Sequence, residues 1–194
     1  MKKLSMLTAL VSVMFMSGCA HVINITPPLN TLSVEGVTKI DRAVGYYISP
    51  EQRALLVTTP GGGGDKVSYK PYADAEPALK QVLSNIYATV VALAAPSDKT
   101  ELESKKIAYV FAPTFTTTSK SSSALTWPPT NFTVAIDCKV ADGSGASVWN
   151  KQVTGTGEAV FEDFKHDFSL SARRASKDAF NQLQSAILAA PELK

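Results

Sequence analysis

The chain has 194 residues, 45% of them hydrophobic, and a formal net charge of +2, so it is long enough for one domain with a substantial core. The two surplus cations are matched by Lys2 and Lys3 near the start; without them the remaining cations balance the 17 acidic residues. No basic stripe remains to grip nucleic acid, and no nucleic-acid partner is expected.

Met1-Lys2-Lys3 opens the chain, and an apolar run follows from Leu4 to Met16, interrupted by Ser5, Thr8 and Ser12. That is the layout of a secretory signal. At about 13 residues the run falls short of the roughly 20 needed for a permanent membrane-crossing helix. It leads into Met16-Ser17-Gly18-Cys19, an aliphatic-like residue, two small ones and a cysteine, which resembles the lipobox where bacterial lipoproteins are cut and acylated. Small residues let the extended chain enter the peptidase cleft, and the thiol is the side chain there that a diacylglycerol donor alkylates. Met16 stands in place of the more usual leucine, and an ordinary secretory signal with a cysteine at its cut site is the competing reading. On the lipobox reading residues 1–18 are a signal peptide and Cys19 is lipidated with several acyl chains, which anchor stably where one alone is marginal. Ala20 occupies the position where an aspartate would mark inner-membrane retention in the lipoproteins this chain resembles. The expected location is therefore the outer membrane, facing the periplasm. With Cys19 taken by lipid, Cys138 has no intramolecular partner. It alternates with Phe132, Val134, Ile136 and Val140 and reads as a small apolar residue on a buried strand face.

Residues 19–33 hold Pro27-Pro28 and several small polar residues, the composition of an extended tether that would lift the domain roughly 40 Å from the membrane. A single domain is expected over 34–194. Val44–Ser49 and Ala54–Thr59 are strand-like, broken by Pro50 and by Pro60-Gly61-Gly62-Gly63-Gly64-Asp65. A phosphate-binding glycine loop needs a lysine and a hydroxyl directly before a helix, and here Asp65-Lys66 leads into the strand-like Val67-Ser68-Tyr69. A mobile loop, or one that touches a partner through Gly62 and Gly63, is the expectation instead. The spacing of Leu79, Val82, Leu83, Ile86, Tyr87, Val90 and Leu93 predicts a helix from Asp74 to about Ala94, with Pro77 in its first turn.

Ile107–Ala112 reads as a central strand closed by Pro113. Thr116–Thr130 is a hydroxyl-rich run, expected as a loop, in which Trp127 before Pro128-Pro129 either folds back onto the domain or offers a partner contact. Asn131–Val140 alternates cleanly and turns through Asp142-Gly143-Ser144-Gly145 into a return strand, whose Gly155 and Gly157 point to a bend or to close backbone packing. A last helix is predicted over Phe168–Ala190, capped by Ser169 or Ser171, with Ala172, Ala175, Ala179, Leu183, Ala186, Ile187 and Ala190 on its inner stripe.

The histidines are His21, in the expected tether, and His166, in Glu162-Asp163-Phe164-Lys165-His166-Asp167. One histidine among acids ahead of a helix reads as a solvated cluster before it reads as a metal or triad site. HExxH, GxSxG and paired-cysteine motifs are lacking. No catalytic residue, metal or cofactor is expected. The lipobox-like segment, the helix after early strands, the Asp142-Gly143 hairpin running to Gly155-Thr156-Gly157-Glu158 and the closing helix together resemble small α/β bacterial lipoproteins, such as the YajG-like family and the PqiC-like auxiliary lipoproteins of ABC-type lipid transport. The resemblance carries over no functional residue except Cys19. The expected fold is α+β, a single mixed or antiparallel sheet with two amphipathic helices packed on one face. The expected function is that of a non-catalytic accessory or assembly lipoprotein, held to the membrane by its lipid and acting on an envelope protein partner, with Trp127, Gly62 and Gly63 as contact residues. A small-ligand or lipid-binding module, with a pocket between helices and sheet, is the alternative.

Overall fold

The structure, a computed structural model, describes residues 20–34, 36, 38–122 and 126–194. The signal peptide and the lipidated Cys19 expected from the sequence lie outside these residues.

Among the described residues two sheets form, where one was expected. The larger contains β2 (Ile40–Tyr46), β5 (Tyr87–Ala92), β6 (Ile107–Lys120), β7 (Asn131–Asp142) and β8 (Ser147–Glu158) in the order β5-β2-β6-β7-β8. It is mixed: β2 runs parallel to both neighbours, and the β6-β7-β8 meander is antiparallel. The smaller has the order β1-β4-β3, from β1 (Ala20–Val22), β3 (Val57–Pro60) and β4 (Lys66–Tyr69). A two-stranded hairpin as short as β3-β4 is marginal alone. The parallel strand β1 completes it, and Tyr69 Oη to Thr117 Oγ1 (2.7 Å) and Ser119 Oγ to Thr59 Oγ1 (2.7 Å) bind it to β6.

The same strand corrects the tether. Ile23, Ile25 and Leu32 are buried in the main core, and Asp74 takes the Ile25 amide (3.2 Å) on its carboxylate and the Thr26 hydroxyl (2.8 Å) on its carbonyl. Ile23 and Ile25 alternate with Asn24 and Thr26, a period-two pattern that the prolines and small polar residues obscured. Residues 20–33 are part of the folded body.

α1 (Pro50–Ala54) is capped by Ser49 and Gln52 in a reciprocal box. Its Arg53 forks onto Glu76 (2.7 and 2.8 Å), which also accepts from Tyr46 Oη (3.1 Å). The guanidinium holds the Glu76 carboxyl below the usual carboxylate range, and burial first, then Glu76, pushes the Tyr46 phenol up to about 12. A carboxyl depressed by folding stabilises the fold above its unfolded pKa and loses that contribution as pH falls through the folded one. The stability gap between wild type and Glu76→Gln should therefore be full at pH 7 and close as pH drops below about 4. Thermal melts of both proteins from pH 7 to 3 check this; a gap that widens in acid contradicts it.

α2 (Pro71–Ile86) starts at a proline in its first turn, earlier than the sequence suggested, so Pro77 lies inside the helix. Leu79, Val82, Leu83 and Ile86 are buried as expected. Tyr87, Val90 and Leu93 are not on the helix: the chain leaves it at Tyr87 and becomes β5. Thr89-Val90-Val91 is a β-branched run, stiff at χ1 and better accommodated on a pleated surface than against a helical turn.

β6 does not stop at Pro113. The Phe111 carbonyl accepts from Tyr47 N (2.9 Å) on the β2 side, and residue 113 shares that side, beyond the end of the β2 pairing. The missing proline amide therefore breaks no ladder bond. Thr116–Lys120 then continue the strand against β7, so the first part of the hydroxyl run is sheet rather than loop.

The two long helices, α2 and α5 (Leu170–Ala189), cover one face of the large sheet. Asn85 links them, donating to Gln184 Oε1 (2.8 Å) and to the Leu32 carbonyl (2.6 Å). On the opposite face α3 (Lys99–Ser104) brings Leu102 onto Leu93, Ile107 and Val110. α5 lies directly on β8. A Cβ at Gly155 would collide with the backbone of Ala175 and Ala179, and one at Gly157 with the backbone of Ser171 and Ala175. The close packing expected of these glycines is what they provide.

Candidate functional site

One end of the molecule gathers the residues that the sequence marked for contact. β1 enters there, with Ala20 opposite Lys66. The glycine run beside it is a tight turn between β3 and β4, closed by Gly61 N to Asp65 O (2.9 Å) and Asp65 N to Gly62 O (3.1 Å). Gly63 (φ 65°) and Gly64 (φ 88°) take backbone angles that L side chains rarely adopt. No helix follows the turn: the chain runs into β4, as the sequence led one to expect.

Gly62 is buried and donates its amide to the Trp127 carbonyl (2.7 Å). Gly63 stands exposed at the tip. Trp127 folds back: its indole stacks on His21 (centroids 4.1 Å, 14° between planes), and Phe168 lies at 4.9 Å and 54°. His21 Nε2 sits 3.4 Å from Asp65 Oδ2. The segment is secured from behind by Ser171 Oγ, which donates to the Pro129 carbonyl (2.7 Å). The structure thus brings Gly62 and Trp127 together and adds His21 and Phe168, which the sequence reading left in a tether and at a helix start. Ring contacts between residues so far apart in sequence, His21 with Trp127 and Trp127 with Phe168, leave no local periodicity by which to find them.

α4 (Phe161–Phe164) and the chain on either side of α5's start complete this end. Ser169 stands at the N-cap of α5 without capping it; its hydroxyl accepts from Asn24 N (3.1 Å). Val160, Phe161 and Phe168 are exposed at this end, and Val22 is exposed on β1, next in sequence to the stacked His21. Two clefts open to solvent flank it, one of about 330 Å³ lined by Ser122, Thr126, Thr130, Asn131, Glu158 and Phe161, the other of about 350 Å³ along Thr58–Lys66. Acidic residues here are engaged by neighbours: Asp163 with Arg174 (3.0 Å), Asp167 with Arg173 (3.1 Å), Glu162 with Lys165 (2.6 Å). His166 is exposed. Among the described residues no three His, Cys, Asp or Glu side chains converge as a metal site.

Cys138 lies on the inner face of β7, fully buried, and burial pushes its thiol up to about 12. The strand register read from the alternation holds at this residue.

No protein-family model matches the chain, and no curated protein matches it in sequence. Among solved structures it is similar to a Xanthomonas campestris protein described with the family DUF330 (12% identity over 89% of this chain and 92% of that one, TM-score 0.44). It is also similar to a candidate lipoprotein of Caulobacter crescentus (12%, 74% and 85%, 0.39) and to a PelC dodecamer subunit from Paraburkholderia phytofirmans (18%, 76% and 95%, 0.40). No helix among the described residues is long and apolar enough to cross a membrane.

Proposed function

We propose that this chain is an envelope lipoprotein, acylated on Cys19, held at the periplasmic face of the outer membrane and acting without catalysis as an accessory or assembly factor for an envelope protein. The observation that carries the reading is Met16-Ser17-Gly18-Cys19 itself: the lipobox-like segment follows an apolar run and lies directly before Ala20, the first residue of β1 among the described residues. An export signal and a cut at that point would release the whole described domain and nothing less. The partner-facing reading of Trp127 and Gly62 changes in kind. They are joined to each other, so they shape the surface, while exposed Gly63, Val160, Phe161 and Phe168 form it. The ligand-pocket alternative gains no support from the space between helices and sheet, which Tyr72, Phe111, Phe115 and Phe180 fill.

Cys19→Ala should abolish incorporation of labelled palmitate and leave a precursor with its first 18 residues still attached. Undiminished labelling in that variant refutes the anchor. In a density gradient of cell membranes the wild type should travel with the outer membrane; recovery with the inner membrane would show that Ala20 does not direct it outward.

A further inference from the structure

The expected tether is absent, and this changes what the domain meets. An acylated Cys19 would sit one peptide unit from Ala20, about 3.8 Å between Cα atoms, and Ala20 is already paired in β1. No slack remains to hold the domain away from the bilayer. The end of the molecule that carries β1 must then face the headgroups, and four of the exposed apolar side chains belong to it, Val22 by 83%, Val160 by 65%, Phe161 by 56% and Phe168 by 50%, whereas Leu55 and Leu56 are exposed at the far end of β3.

We propose that this end is a second, non-covalent membrane contact, in which Val22, Val160, Phe161 and Phe168 enter the headgroup and acyl boundary beside the lipid on Cys19. The proposal rests on acylation of Cys19. An apolar surface with two phenylalanines at the level of an acyl anchor has a lipid interface to fill, where burying such side chains at the headgroup and acyl boundary is favourable. The surrounding charges suit the same occupant. Glu162, Asp163 and Asp167 are already paired within the protein, which lowers their repulsion from anionic lipid. Lys66, opposite Ala20, and Lys120, at the same end of β6, are exposed on the rim, within reach of phosphates. Trp127, wedged between His21 and Phe168, fixes the patch relative to the anchor strand.

The test uses the full chain, purified from membranes and reconstituted alone into phosphatidylethanolamine and phosphatidylglycerol vesicles. A fluorophore is attached at His166→Cys, exposed within the patch, or at Ala146→Cys, exposed on the β7–β8 turn roughly 35–40 Å away along β7. Cys138 is buried and does not compete for label. The label at 166 should shift to the blue and be quenched by lipids brominated near the headgroup, and the label at 146 should do neither. In the Val160→Ser, Phe161→Ser double variant carrying the 166 label, which leaves the Trp127 stack in place, quenching should weaken on the order of tenfold while the melting temperature holds. Mass measurement of the N-terminal peptide reads acylation separately. An acylated protein whose 166 label remains as solvent-exposed as the 146 label overturns the contact and leaves the anchor standing. An unacylated protein, read from that peptide and labelled at the free Cys19 as well as at 166, removes the anchor and with it the premise of the contact, and so overturns both.

Discussion

Gly157→Val is expected to destabilise the domain by about 3 kcal/mol, a fall in melting temperature of roughly 6–12 °C for a chain of this size. α5 is a 20-residue helix with alanines at 172, 175 and 179 facing the sheet, and it rests on β8 where β8 has no side chain. The atoms that a Cβ at 157 would meet are the Ser171 carbonyl oxygen and the Ala175 amide nitrogen, with Arg174 Cβ at 2.9 Å. The two nearest are backbone, so no rotamer change makes room. The helix must lift, and lifting it loosens Phe180, Leu183 and Ile187 from the core. Gly155→Val should behave likewise. The control is Gly143→Ala, at a turn position where the added carbon comes no nearer than 3.5 Å to another atom, and which should change stability by only a few tenths of a kcal/mol. Equal melting temperatures for Gly157→Val and the control would refute direct helix-on-strand contact.

Cys138→Asp is the second large effect, expected to remove several kcal/mol or to prevent folding, because an ionised carboxylate would stand in the apolar face between the sheet and both long helices. The comparison is with Cys138→Ala, which removes a small apolar group and leaves no charge. Burial would raise the carboxyl pKa of the aspartate variant above its unfolded value of about 3.9. A raised folded pKa means that the protonated form is the one the fold tolerates. The deficit relative to Cys138→Ala should therefore be smallest below pH 4 and grow as pH rises through the folded pKa. Denaturant melts at pH 4 and pH 7 measure it. A deficit independent of pH, or a wild-type thiol that reacts with a labelling reagent as fast in the native state as in denaturant, would place residue 138 at the surface.

How much of this was written locally in the chain differs from element to element. The β7–β8 hairpin was legible because alternation and turn chemistry sit side by side: Asp142 accepts from Ser144 N (2.8 Å), Ser144 Oγ (2.6 Å) and Ala146 N (3.0 Å), and Gly145 takes φ 87°. The alanine stripe marked the inner face of α5 and the two glycines of β8 pointed to a bend or to close packing, but nothing local said that they pack on each other. β5 was not legible, because Tyr87, Val90 and Leu93 satisfy a helical spacing as an extension of the stripe before them, and only the β-branched run at 89–91 argues otherwise. The second sheet was hidden for another reason. β1 is three residues long and its partner lies 46 positions away, so its identity is set by tertiary pairing rather than by its own composition. The candidate site shares that difficulty. Trp127 stood out as an aromatic beside prolines, yet its partners His21 and Phe168 come from opposite ends of the chain, and no spacing rule connects them.

The meeting of first and last segments also sets an order of events. Asn24 is bonded to Ser169, and the Thr26 carbonyl accepts from Arg173 Nε (3.2 Å). The earliest residues of the domain thus have no partner in α5 until nearly the whole chain has been delivered. Synthesis or translocation halted anywhere before α5 leaves Ile23, Ile25 and Leu32 without the helix that helps enclose them, and long-range parallel pairing such as β1 on β4 is slow to form. A polypeptide that threads a membrane channel must stay extended while it does so. This topology delays its own closure until the C-terminal helix arrives; on the export route proposed above, that delay would keep the chain extended for most of its passage.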